Sequence, residues 1–162
     1  MKLAAPAPGA VAAPVTIRSV EPIALEMPLG RTVANPILAF ASVVALLVRV
    51  RDADGVEGWG EVWCNFPRFG LRHRARIVSE VFAPLLAGRS FASPADAWAA
   101  MNASSRLLAL QSGEPGPIAA AIAGIDIALH DIAAKRAGEP LWRRSNVSVG
   151  ARRSRDEAMR GR

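Results

Sequence analysis

Cysteine occurs once, at Cys64, so no internal disulfide can staple the fold and nothing points to an oxidising compartment. A long apolar run is also missing. The longest, residues 37–50, falls short of the ~20 residues a membrane-spanning helix needs, and it includes Arg49. Residues 1–14 are rich in alanine and proline, and their single Lys2 is followed by no uninterrupted apolar core. That composition argues against a secretory signal and reads as a disordered leader. No internal repeat is visible. The expectation is a soluble, cytoplasmic chain that engages no membrane.

What is present suits one folded domain. With 162 residues, half of them hydrophobic and about a fifth charged, the chain has enough apolar material for a core. Its net charge of +6 raises nucleic acid as a partner. The charge, however, is unevenly placed. Residues 1–142 hold 13 Lys/Arg against 12 Asp/Glu, whereas residues 143–162 hold seven Arg against Asp156 and Glu157. The basicity belongs to the last twenty residues and not to the fold. Arg152, Arg153, Arg155, Arg160 and Arg162 could touch phosphates, but no aromatic platform or binding fold accompanies them. Non-specific attraction is the most this tail supports.

The pattern divides into strands followed by helices. Ile23, Leu25 and Met27 alternate in a β-prone segment whose alternation slips near Val20 and Pro22, which suggests an edge strand with a bulge. Pro28, Gly30, Asn35 and Pro36 then mark a long loop. Val44, Leu46, Val48 and Val50 share one face of a second strand, with Arg49 and Arg51 on the other. Asp52-Ala53-Asp54-Gly55 is a hairpin turn leading into a third strand, residues 56–63. There Gly58 and Gly60 leave one face thin enough for another backbone to approach.

Ile77, Val78, Val81, Phe82 and Leu85 make a helical stripe that Pro84 ends or kinks. Ser93-Pro94-Ala95-Asp96 starts a second helix carrying Trp98, Met101 and Leu108. Ile118, Ile122, Ile125, Leu129 and Ile132 form one continuous apolar face on a third, which Gly138 and Pro140 stop. These elements predict an α+β domain: a three-stranded antiparallel meander followed by a helical bundle.

Two segments are more specific than that. Arg49-Val50-Arg51-Asp52-Ala53-Asp54-Gly55-Val56-Glu57-Gly58-Trp59-Gly60-Glu61 resembles the second hairpin of the enolase superfamily's N-terminal capping domain, of the mandelate racemase/muconate lactonizing type. Gly124-Ile125-Asp126-Ile127-Ala128-Leu129-His130-Asp131, running on to Gly138-Glu139-Pro140-Leu141-Trp142, is similar to that domain's closing helix. The resemblance spans residues 15–144, leaving 145–162 as a basic, disordered tail. It implies an enolase-like N-terminal domain sitting over a (β/α) barrel that supplies acid–base groups and carboxylates holding Mg²⁺. The implied chemistry is proton abstraction α to a carboxylate, of racemase, cycloisomerase or sugar-acid dehydratase class.

Two capping loops follow by position, residues 28–41 and 64–69. The candidate substrate-facing residues in and directly beside them are Arg31, Asn35, Trp63, Asn65 and Phe66. Lys2 and Lys135 are the only lysines, so no Lys-x-Lys pair exists, and a barrel needs upwards of ~200 residues. The expectation is a fragment cut by a frameshift or stop soon after Arg144, with no metal, cofactor or catalysis of its own. Its partner would be the missing barrel. Failing that, it would self-associate through the apolar face of helix 118–137. The alternatives are a free-standing α+β binding or assembly module, or weak nucleic-acid association through the tail.

Other chemistry-bearing residues have plainer readings. Asp126 and His130, four apart, are a flanking polar pair, since two ligands do not make a metal site. His73, among Arg72, Arg74 and Arg76, sits on a solvated helix face without a partner. Glu61 is a structural strand-end residue, Cys64 an inert thiol without an activating His, and Ser42 and Ser93 lack a triad.

Overall fold

Alternating apolar residues build the sheet, and the computed structural model describes residues 14–34, 39–64 and 69–145. β1 (Val15–Ala34), β2 (Ala39–Asp52) and β3 (Glu57–Val62) form the antiparallel meander that the sequence predicts. A fourth strand, β4 (Ser90–Phe91), joins it through Val15 and Thr16, giving the order β3-β2-β1-β4. Two residues long and without alternation, β4 has no periodic signal of its own. The side chain of Thr16 also meets that of Ser90 at 2.6 Å.

Two details of the strands differ from expectation. Register slips between Ile17 and Ser19, not at Val20 and Pro22, and again between Pro28 and Val33. The long loop predicted from Pro28 is mostly strand: β1 runs through Pro28 and Gly30 to Ala34, with Val33 opposite Phe40 and Ala34 opposite Ala39. The second irregularity absorbs Pro28 and Gly30, whose φ is +67°, without ending the ladder. The turn at Gly55 (φ +85°) is as expected.

Leu46, Val48, Val50 and Val62 are fully buried on the inner face of the sheet. Against them lies the helical layer. α1 (Gly70–Arg76), a π-helical segment (Ile77–Phe82) and α2 (Ala83–Leu86) form one continuous helical run. Pro84 therefore neither ends nor sharply breaks it. Proline has no N–H and its ring crowds the preceding turn, and the chain answers by widening that turn, with the Ala83 N–H reaching back to the Val78 carbonyl.

α3 (Pro94–Ser112) starts at Ser93, whose hydroxyl oxygen accepts the Asp96 N–H at 3.2 Å, and stops at Gly113 in left-handed geometry. Of its three predicted apolar residues only Met101 enters the core; Trp98 and Leu108 are exposed. α4 (Pro115–Arg136) buries its whole stripe, Ile118, Ile122, Ile125, Leu129 and Ile132. α4 is long and apolar enough to cross a membrane by composition, yet it serves as the central core helix here. The stripe expected to mediate self-association is thus enclosed within the domain, because β3 and α3 already cover it. α5 (Leu141–Ser145) follows, so helix extends to the first residue of the predicted tail.

The tightest packing is between β3 and α4. A Cβ on Gly58 would strike the Ala128 carbonyl, and one on Gly60 the Gly124 carbonyl; one on Gly124 would strike Val62. α4 also closes β3's free edge: the Trp59 N–H donates to Asp131 Oδ2 at 3.0 Å, and Lys135 Nζ donates to the Glu57 carbonyl at 2.7 Å. Lys135 and Asp131 pair at 2.7 Å, satisfying an edge that would otherwise invite another strand. At the turn end, Arg136 holds fully buried Asp52 at 2.8 Å and Asp54 at 2.6 Å, and donates to the Pro14 carbonyl at 3.0 Å. Pro14, assigned to the leader, is therefore fixed to the fold; residues 1–13 and 146–162 lie outside the described residues.

Candidate functional site

The meander brings the two candidate segments to one end of the sheet. β1 rises to the hairpin, β2 descends and β3 rises again, so the hairpin and the end of β3 point the same way. Trp63 follows Val62, which pairs with Leu46, placing it level with Ala45 and Leu25. Arg31 is exposed further along β1, in the irregular stretch between the Pro28–Ser42 and Val33–Phe40 pairs, which puts it roughly 10–17 Å beyond the level of Ala45 at the usual rise of β2. The two share an end of the domain but stand at different heights. Asn35, Asn65 and Phe66 lie outside the described residues.

Trp63 is 56% exposed, and the Arg74 guanidinium carbon lies 5.9 Å from its ring centroid. Arg74 is the residue that sequence reasoning missed. It was assigned to a solvated face with Arg72 and Arg76, but only those two are exposed; Arg74 is 6% exposed. The signal was available. Leu71, Arg74, Val78 and Phe82 fall at steps of three, four and four, so Arg74 continues the inward stripe. Beside it Cys64 is buried, and burial pushes its thiol pKa up despite the N–H of Leu46 and the charge of Arg74. That is the setting of an unreactive thiol.

His73 does have a partner. Its Nε2 lies 2.8 Å from Glu114 Oε1, across an open cleft of about 270 Å³ between α1 and the start of α4. The two stand at ion-pair distance but off hydrogen-bond geometry, so they lack the alignment of an acid–base pair. The cleft's other polar members, Arg76 and Glu80, bind each other at 3.0 Å. His130 and Asp126 stand 3.9 Å apart, and burial raises the Asp126 pKa, with His130 opposing. Ser42 donates to Glu26 at 2.6 Å, and Ser93 is spent on its helix cap. Glu61 is exposed on β3, opposite Leu47. Among the described residues, no three of His, Cys, Asp and Glu converge to hold a metal. The described residues therefore do not by themselves form a Mg²⁺ site.

The outer sheet face is charged near the turn and apolar toward the hairpin. Arg49 binds Glu21 at 2.6 Å and stacks 5.7 Å from the Trp59 ring centroid, and Arg51 binds Glu57 at 2.6 Å. Arg49, hydrogen-bonded to Glu21, holds that carboxyl below its ordinary pKa. Beyond them Leu25, Met27 and Val43 are exposed.

The model of the mandelate racemase/muconate lactonizing enzyme N-terminal domain matches residues 21–143. Among solved structures, a mandelate racemase/muconate lactonizing enzyme from Bordetella bronchiseptica RB50 is 51% identical with a TM-score of 0.72, over 80% of this chain and 33% of that one. An enolase from Bradyrhizobium, solved with magnesium and mandelic acid, is 28% identical with a TM-score of 0.66, over 80% and 34%. A mandelate racemase/muconate lactonizing enzyme-like protein from Rubrobacter xylanophilus is 28% identical with a TM-score of 0.64, over 77% and 32%. No curated protein matches the chain. The chain spans about a third of the length of the solved structures it matches.

Proposed function

Because the chain belongs to the mandelate racemase/muconate lactonizing enzyme family, through that family's N-terminal domain, we propose that it is a capping domain that selects substrate for a catalytic barrel. One observation carries this reading. The described parts of both candidate segments leave the same end of the sheet, where they can cover a mouth from one side. The barrel would supply the acid–base groups and hold Mg²⁺, whose charge stabilises the carboxylate as its α-proton leaves. The magnesium and mandelic acid bound to the Bradyrhizobium relative support a 2-hydroxy or related acid as the substrate class.

In this reading Trp63 supplies an apolar wall and Arg31 a positive charge that draws a carboxylate inward. Asn35, Asn65 and Phe66 complete the set. The domain contributes selectivity and exclusion of water, and no proton-transfer group. It works in the cytoplasm.

The test is a graft. Residues 15–144 replace the matching region of the Bordetella bronchiseptica relative, and kcat/KM is measured across a panel of 2-hydroxy and sugar acids. The expected outcome is Mg²⁺-dependent turnover whose substrate ranking moves in Trp63→Ala and Arg31→Ala. A folded, active graft whose ranking ignores both substitutions would overturn the reading. So would Mg²⁺-dependent turnover by the 162-residue chain alone.

A second reading has one observation behind it. The core closes without a barrel, since the α4 stripe is enclosed by β3 and α3. That favours a free-standing binding or assembly module, and a cooperatively folding monomer that fails to activate any barrel would select it.

A further inference from the structure

Arg74 stands out as a nearly buried cation whose surroundings are built to receive it. It lies on α1 four residues after Gly70, and helical side chains lean toward the helix start. The guanidinium accordingly lies over Gly70: a Cβ there would strike Arg74 Nη1, and would come within 3.5 Å of both Arg74 Cζ and the Cys64 carbonyl oxygen. The same group stands 5.9 Å from the Trp63 ring centroid. Arg74 thus adjoins the end of β3 and the start of α1 together. Taking a guanidinium out of water is costly, and stacking on an indole face recovers part of that cost.

From this geometry we infer that Arg74 is the positioning residue for Trp63, fixing the ring that the capping reading makes a selectivity wall. The inference rests on that reading for its functional meaning and on the geometry alone for its test. Gly70 belongs to the same device: only a residue without Cβ leaves room for the guanidinium beneath the ring.

The experiment uses the full 162-residue chain and the indole N–H resonance of Trp63, assigned with Trp63→Phe. Arg74→Met keeps an unbranched, flexible apolar stem and removes the cation. It is expected to shift the Trp63 signal by more than its linewidth while the signals of Trp59, Trp98 and Trp142 stay in place. Arg74→Lys restores a cation without the flat guanidinium and should return part of the shift. Gly70→Ala places a methyl where Nη1 lies. The obstructing atom is the end of a flexible side chain, so the helix stays formed while the guanidinium moves, and the Trp63 signal should follow.

A Trp63 signal unmoved in Gly70→Ala and in folded Arg74→Met overturns the inference; if Arg74→Met does not fold, Gly70→Ala decides. A uniform shift of all four indoles also overturns it, because it reports general loosening. The measurement needs no barrel. Its failure leaves the capping reading standing, and failure of the graft beside a responsive Trp63 overturns only that reading.

Discussion

Where β3 meets α4, Gly58 and Gly60 let the strand lie against the backbone of the helix, and Asp131 and Lys135 close the strand's free edge. At the far half of the β1–β2 hairpin the same ladder continues, but Leu25, Met27 and Val43 stand exposed. The seam has no room for a Cβ at Gly58 or Gly60, and at its edge the Trp59 N–H and the Glu57 carbonyl both have side-chain partners. The hairpin is held by backbone pairing on either side of its irregular stretch, with large side chains facing outward. One end of this sheet is therefore specified by packing, while the other is free to vary in what it presents.

The difference can be broken from the seam's side first. Arg136→Met leaves Asp52 fully buried without its cation, and a loss of about 3–4 kcal/mol in urea unfolding is expected, the scale for orphaning a buried charge. A loss below ~1 kcal/mol would mean that this clasp does not organise the turn end. Gly60→Ala drives a methyl into the Gly124 carbonyl, and since both sides are backbone, neither can yield cheaply. About 3 kcal/mol is expected by the same assay.

A smaller effect concerns Asp126. Burial raises its folded pKa above the ordinary 3.8, so the native chain binds that proton more tightly than the unfolded chain. The stability this confers is complete below the unfolded value and lost as pH rises through the folded one. At neutral pH the carboxylate is a burden that His130 relieves only in part. Asp126→Asn should therefore melt higher than the parent at neutral pH, with the advantage vanishing in acid; equal melting temperatures at both would refute it. Smallest of all, Met27→Ser on the hairpin should change stability by less than about 0.5 kcal/mol. A larger loss there would mean that the hairpin's outer face is packed in solution, and the contrast between the two ends would fail.

Much of the fold was legible for reasons visible in particular residues. Leu46, Val48 and Val50 alternate and are all buried, and five apolar residues of α4 recur at helical spacing and are all buried. Gly58 and Gly60 announced a close backbone approach before its partner was known, and Ser93 and Gly113 delimit α3 through caps that are properties of one chain segment. The site was less legible. Prolines and a glycine suggested that residues 28–34 form a loop, and the paired strand overrode that local preference. Arg74 was read by its charge when its spacing placed it with Leu71 and Val78. Glu114 could not be matched to His73 at all, because the 40 residues of intervening chain carry no record of who meets whom.

The sequence by itself determined the order of strands and helices, the inward faces, the turn at Gly55 and the family, since each depends on local periodicity, backbone freedom or residue identity along one stretch. Only the tertiary structure decided which side chains meet. It brought a two-residue strand to the sheet, closed β3 with Asp131 and Lys135, enclosed the α4 stripe, and set Arg74 beneath Trp63. These are contacts between segments whose geometry follows from packing the layers together, and packing is a property of the whole domain.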